Sequence, residues 1–234
     1  MMRTFKALSA LLSYPSDDLQ LAIPDIGDIL RDEALLSAAQ ITSLQPLLHR
    51  LATEDVLDLQ EGYVLLFDRS RTLSLNLFEH IHGESRDRGG AMVDLLETYR
   101  AGGFDLVGPE LPDHLPVLLE YLSTQPVAKA REILADAGAI LAVLAERLMR
   151  RETPYAAVLA ALADLGKGEV ASDVAVALLA EPDDNPEDLA ALDAIWEEAQ
   201  VTFAPDPNAG CPISRDILTK MDVPLSPARA GAAQ

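Results

Sequence analysis

The sequence predicts an all-α fold: a single multi-helix bundle spanning residues 1–203, followed by a flexible tail over 204–234. Three observations lead there. Hydrophobic residues make up 49% of the 234-residue chain while aromatics make up only 5%, and the surplus is Leu and Ala, which favour packed helices over β-branched, aromatic strands. Apolar residues recur in steps of three and four. No alternating apolar run with hairpin signals is evident, and no period of 20 to 50 residues that would mark a helical-repeat solenoid.

Taken in order, Phe5, Leu8, Leu11 and Leu12 repeat at helical spacing, and Tyr14-Pro15 stops that first helix because a residue before proline is pushed out of the α region. Leu44, Leu47, Leu48 and Leu51, then Val56, Leu59, Tyr63, Leu66 and Phe67, mark two helices, with Thr53 read as the cap before the acids of the second. Leu73, Leu77, Phe78 and Ile81 line a further face ending at Gly83. Met92, Val93, Leu95, Leu96 and Tyr99 line the next, which ends at Gly102-Gly103. Asp113 is placed to cap a helix over 115–123, where Pro116 is tolerated because first-turn amides have no intrahelical partner. From Val127 to about Arg151 a single long helix is expected. Thr153-Pro154 and Asn185-Pro186 read as a cap followed by the first helical residue, the second ahead of Leu189, Leu192, Ile195, Trp196 and Ala199. Beyond Phe203 the chain is rich in Pro, Gly and Ala without sustained period, the pattern of a tail.

Charge narrows the function. Thirty-eight acidic against eighteen basic residues give a formal charge of −20, a field that repels nucleic acid and anionic lipid and attracts basic partners. Cys211, alone, makes neither an internal disulfide nor a cysteine zinc cluster. The apolar run near the N-terminus is broken by Ser9, Ser13 and Pro15, so it is a poor signal peptide, and no apolar stretch of about eighteen residues occurs. A soluble, cytoplasmic protein that binds no nucleic acid and is not integral to a membrane is expected.

Chemistry-bearing residues are densest in 77–90 (LFEHIHGESRDRGG) and in 110–114. Phe78, Glu79, His80, His82, Glu84, Arg86, Asp87 and Arg88 fall within eleven positions; Glu110, Asp113 and His114 follow at a helix entry. A metal-dependent hydrolase using His80, His82 and His114 is one reading, but ligands on one helix need three- or four-residue spacing, and His80 and His82 are two apart. Bracing of the junction is the plainer role for these histidines. The charged run is either a solvated face or, beside Gly83 and Gly89-Gly90, the rim of a peptide-binding site. Tyr63 and Phe67, four apart, are most simply core aromatics. No nucleophile elbow, phosphate loop or dinucleotide fingerprint is present, so no enzyme is expected.

Tyr63, Leu66 and Phe67, the run LSLNLFEHIHGESRDRGGAMVDLLETY, Glu110-Leu-Pro-Asp113-His114-Leu-Pro followed by VLLEYLS, and AIWEEAQV further on together resemble the NarJ-type chaperones of respiratory nitrate reductase. These form part of the TorD-like redox-enzyme maturation family. The resemblance implies an all-helical bundle of the TorD-like type with no catalytic chemistry. It implies a chaperone that binds the N-terminal segment of the apo catalytic α subunit and assists insertion of the molybdenum cofactor and an iron–sulfur cluster before membrane docking. No cofactor would be held stably. The candidate client-peptide-binding set is Tyr63, Phe67, Phe78, Glu79, His80, His82, Glu84, Arg86, Asp87, Arg88, Glu110, Asp113 and His114. The peptide is expected to lie as an amphipathic helix in an apolar groove with acids on its rim.

Overall fold

The computed structural model describes residues 2–82, 87–166 and 173–180. The chain opens with α1 (Arg3–Leu11), whose Phe5, Leu8 and Leu11 are fully buried. Its N-terminus is tied down by Glu33, whose carboxylate accepts from the Arg3 and Thr4 amides. α2 (Asp17–Asp32) starts where Ser16 Oγ accepts from the Leu19 amide, with Asp17 and Asp18 beside the positive end of the helix dipole. Leu19, Ile23, Ile26 and Leu30 form its buried stripe. Pro24 sits within it without ending it.

A left-handed residue, Ala34, turns the chain into α3 (Ala38–Thr53), which begins with a reciprocal capping box between Ser37 and Gln40. The expected cap at Thr53 is corrected: Thr53 closes α3, its hydroxyl donating to the His49 carbonyl, and Asp55 caps the next helix by accepting from Leu57. Thr53 lies within α3, whereas Asp55 has the extended backbone that aims a side chain back at the first turn.

α4 (Val56–Tyr63) runs into a π-helical turn over Val64–Asp68, closed by Arg69 N donating to Val64 O at 2.9 Å. Such a one-residue widening re-aims side chains and recurs at functional sites. A short 3-10 turn, Arg71–Leu73, follows. The helical face expected to run from Leu73 to Ile81 begins only at α5 (Leu77–His82). Between the 3-10 turn and α5 the chain is extended, and Leu75 and Leu77 are buried on either side of half-buried Asn76. This extended piece pairs antiparallel with 113–115: Leu77 N donates to Asp113 O at 3.1 Å and Leu115 N to Leu75 O at 2.9 Å, across the isolated bridge of Asn76 and His114.

α6 (Asp87–Ala101) ends at the expected glycines. Gly103 adopts φ +77, Phe104 N reaches back to Tyr99 O and Gly103 N to Arg100 O, and the Tyr99 and Phe104 rings meet edge to face at 5.6 Å. That is a Schellman closure with its apolar contact. Of the five residues expected on its buried face only Tyr99 is fully enclosed; Val93 is 53% exposed. α7 (Leu115–Thr124) carries Pro116 in its first turn as expected. Ser9 Oγ donates to the Pro116 carbonyl at 2.8 Å, locking α1 against α7.

The single helix expected over 127–151 is two: α8 (Val127–Asp136) and α9 (Gly138–Arg150), broken at Ala137, whose ψ of −3 leaves the helical range. The physical reason lies in α10 (Ala156–Gly166), which packs on both pieces. A Cβ added at Gly166 would lie 2.7 Å from the Leu134 carbonyl oxygen, so the end of α8 and the end of α10 touch backbone to backbone. The Thr153-Pro154 start is also corrected. α10 begins at Ala156 with three-residue bonds from Ala156 N to Thr153 O and Ala157 N to Pro154 O, and the Thr153 hydroxyl makes no cap.

α11 (Asp173–Ala180) packs on α9 through Ala175, Leu178 and Val143. Arg147, buried on α9, donates to the carbonyls of Thr72 and Leu178. The fold is all-α, with no strand beyond the isolated bridge among the described residues. The Asn185-Pro186 helix start, Trp196, Cys211 and the 204–234 tail lie outside the described residues.

Candidate functional site

The pairing of Leu75–Phe78 with Asp113–Leu115 organises the site. Successive residues of extended backbone point to opposite faces. Asp113 and His114 therefore serve two different hollows.

His114 lines a cleft of about 610 Å³ together with Tyr14, Tyr63, Asp68, Phe104, Asp105, Val107, Glu110 and Glu120. The cleft lies between the end of α1, the π-turn, the loop after Gly103 and one face of α7. Among the described residues four that line it are carboxylates and none is Lys or Arg. Its floor is aromatic: Tyr14 and Tyr63 meet edge to face at 5.6 Å, and the Tyr63 hydroxyl donates to Leu12 O at 2.9 Å.

The electrostatics follow from the crowding. Desolvation raises Asp68 above its ordinary 3.8; the nearby His114 opposes that shift and Glu110 adds to it. Burial lowers His114 below 6.5, working against Glu110, Asp113 and Asp68, which favour its protonated form. The enclosure of the cleft thus favours the neutral form of the His114 ring.

Asp113 faces the other hollow, about 270 Å³, lined mainly by Leu77, Phe78, Ile81, Leu95, Leu118, Tyr121, Ile133 and Ile140. The expectation that Asp113 caps α7 is corrected. Its side chain is fully buried, and Oδ2 accepts from the Phe78 amide at 3.0 Å, so it caps α5 across the pairing. The α7 start at His114 has no side-chain cap. The direction follows from the register, which sets residue 113 beside the first turn of α5. Asp113 Oδ1 has no hydrogen-bond partner among the described residues, and burial raises the carboxyl above its ordinary range despite the Phe78 bond and nearby Arg88. Tyr99, fully buried, fixes this turn by donating to Pro112 O at 2.6 Å.

The remaining candidates scatter. Phe67 is enclosed, with its ring 4.9 Å from Tyr63 and 5.2 Å from Tyr155, and lines neither hollow. Glu79 pairs with Arg88 at 3.6 Å across α5 and α6, and Asp87 lies exposed at the start of α6. His80 Nε2 lies 2.8 Å from Ser74 O, a brace across the extended turn. His82 ends α5, while Glu84 and Arg86 lie outside the described residues. No group of three or more His, Cys, Asp or Glu among the described residues could hold a metal.

Sequence reasoning missed Tyr14, Asp68, Asp105 and Glu120. Asp68 directly follows the Tyr63-to-Phe67 motif, but only the π-turn sends it to the cleft. Tyr14, Asp105 and Glu120 reach it from the turn after α1, the 104–113 loop and α7, and nothing local signals that.

The helical bundle, with its acidic cleft and the extended motif that crosses it, has the fold of a redox-enzyme maturation protein. A crystal structure from Archaeoglobus fulgidus, described as a redox enzyme maturation protein, superposes on it with a TM-score of 0.51. The two are 24% identical, and the match covers 70% of this chain and 93% of that one. The chain belongs to the nitrate reductase delta subunit family, whose model matches residues 32–161. It is 44% identical over 205 residues to the nitrate reductase molybdenum cofactor assembly chaperone NarJ of Escherichia coli K12, covering 87% of this chain and 86% of NarJ. NarW of the same organism is 40% identical over 210 residues, covering 90% and 87% respectively.

Proposed function

We propose that this chain is an assembly chaperone for respiratory nitrate reductase, acting in the cytoplasm without chemistry of its own. It receives the basic N-terminal segment of the apo catalytic α subunit and keeps the apoenzyme open. The molybdenum cofactor and an iron–sulfur cluster, cargo of the client, enter before membrane docking. The observation that carries this reading is the cleft that Asp68, Asp105, Glu110 and Glu120 line, with no Lys or Arg among its described lining residues.

Such a field acts in two ways. At long range it steers a cationic segment inward, and at contact it fixes which face of that segment turns down. The aromatic floor supplies apolar surface for the same segment, and the hollow around Phe78 and Leu118 offers room for an apolar side chain. Much of the attraction is between solvent-reached charges, so it is screened by salt and release is easy. No helix among the described residues is long and apolar enough to cross a membrane, which accords with a protein that meets its client before docking.

The reading is tested by co-purification of the chain with the apo α subunit, intact and lacking its N-terminal segment. Capture of the intact subunit, reduced on deleting the segment and on introducing Asp68→Asn with Glu110→Gln, is expected. Equal capture of all forms would overturn it.

A further inference from the structure

Asn76 occupies the N-cap position of α5, where an Asn side chain ordinarily turns down to accept from the amides of its own first turn. Here that task is taken: Asp113 Oδ2 from the facing segment already accepts from Phe78 N. The Asn76 backbone carbonyl accepts from Glu79 N, and its amide donates to Ser74 Oγ at 3.2 Å. Its side chain is left to cross the pairing, and Oδ1 lies 3.2 Å from His114 Nδ1. The two extended segments exchange side chains: residue 113 caps the helix that begins beside residue 76, and residue 76 holds residue 114.

From this exchange we infer that Asn76 is a positioning residue for client recognition: its carbonyl oxygen holds the proton of His114 on Nδ1, so that Nε2 faces the acidic cleft as a bare acceptor for an N–H donor of the bound segment. This rests on the reading of the cleft as the client site and names one of its specificity devices. An acceptor oxygen at Nδ1 selects that tautomer, because a neutral imidazole carries one proton and the oxygen has none to give. Unconstrained neutral histidine prefers the other tautomer, so the contact acts against an intrinsic bias. Burial, which keeps His114 neutral, is consistent with this. A guanidinium, ammonium or amide N–H entering among Asp68 and Glu110 then meets an acceptor in their midst; a carboxylate or carbonyl of the wrong segment finds no proton on Nε2 to accept.

Nitrogen-detected NMR of the His114 ring tests the inference without any client. The full chain at neutral pH is expected to show a protonated Nδ1 and an unprotonated Nε2. Asn76→Leu, which keeps the bulk and removes the acceptor, is expected to shift the ring toward the Nε2-protonated tautomer; Asn76→Asp, which keeps the acceptor, is expected to preserve it. A wild-type ring already protonated on Nε2, or a pattern unmoved by Asn76→Leu, overturns the proposal. In a double-mutant cycle with a synthetic helix-forming peptide carrying Arg on one face and Leu on the other, Asn76→Leu is expected to weaken binding roughly two- to tenfold with His114 present. In a His114→Ala background it is expected to have no further effect. A loss of equal size in both backgrounds assigns Asn76 a role in α5 alone and overturns the proposal. Failure of the wild-type chain to bind any basic peptide refutes the cleft's assigned client, and the ring measurement then still decides whether Asn76 sets the tautomer.

Discussion

Replacing Asp113 separates its function as a hydrogen-bond acceptor from its charge. Asp113→Ala removes the oxygen that caps the Phe78 amide and leaves that N–H enclosed near a fully buried position. Loss of a cap costs about 1 kcal/mol and an unsatisfied buried donor about 1–3 kcal/mol, two measures of the same event. Relief of burying a carboxylate whose Oδ1 has no partner among the described residues offsets part of it. A net loss of about 1–2 kcal/mol is expected. Asp113→Asn keeps an acceptor oxygen and discards the charge. The carboxyl is raised above 3.8 in the folded state, so the folded chain holds that proton more tightly than the unfolded chain. The ionisation penalty is therefore fully present above the folded value and fades as pH falls toward 3.8. At pH 7 the Asn variant should thus be within about 1 kcal/mol of wild type or above it, a margin set by the retained bond. Urea unfolding with an unchanged m-value measures both variants, and amide exchange at Phe78, faster in Asp113→Ala alone, localises the effect. If Asp113→Asn is as damaging as Asp113→Ala, the carboxylate acts through its charge toward Arg88, and the capping argument is refuted.

Other outcomes follow from the same geometry. Gly166→Ala should lose about 1–3 kcal/mol in urea unfolding, because its Cβ would meet the Leu134 backbone at 2.7–2.8 Å where nothing flexible can yield. Tyr99→Phe should lose about 1 kcal/mol by leaving the buried Pro112 carbonyl without its donor. His114 is lowered by burial, so the unfolded chain gains its proton first; stability should decline as pH drops through 6.5, and His114→Gln should flatten that decline. Since Asp68 is raised, affinity for a basic peptide should begin to fall above the ordinary carboxylate range as pH decreases, and titration from pH 7 to 5 checks it.

The helices were legible wherever apolar spacing met a stop or start signal. α1 ends near Tyr14-Pro15, α6 ends at Gly103, and α7 tolerates Pro116, each for the local reason expected. α2 carried the same signals, Ser16-Asp17-Asp18 before Leu19, Ile23, Ile26 and Leu30, but Pro24 within it obscured the period. What local pattern could not show is what a partner segment imposes. The break at Ala137 depends on Gly166 meeting Leu134, thirty-two positions away in sequence by the numbering. The extended piece around Asn76, with Leu75 and Leu77 buried, is too short to show a period and becomes meaningful once 113–115 lies beside it. The site was legible in the same measure. Glu110, His114 and Tyr63 share the acidic cleft and Phe78 and Asp113 the apolar hollow, whereas Phe67 serves the core. An expected single groove is distributed over two faces, because Asp113 and His114 are neighbours in extended backbone rather than in a helix.

Calorimetric titration of the α subunit's basic N-terminal peptide into wild-type chain and into an Asp68→Asn, Glu110→Gln variant, each at low and high salt, tests the central claim most directly. Wild-type affinity should drop with salt, and the variant should bind about tenfold more weakly at low salt, about 1.4 kcal/mol, with a shallower salt dependence. Identical affinity for both proteins, unmoved by salt, would contradict the account.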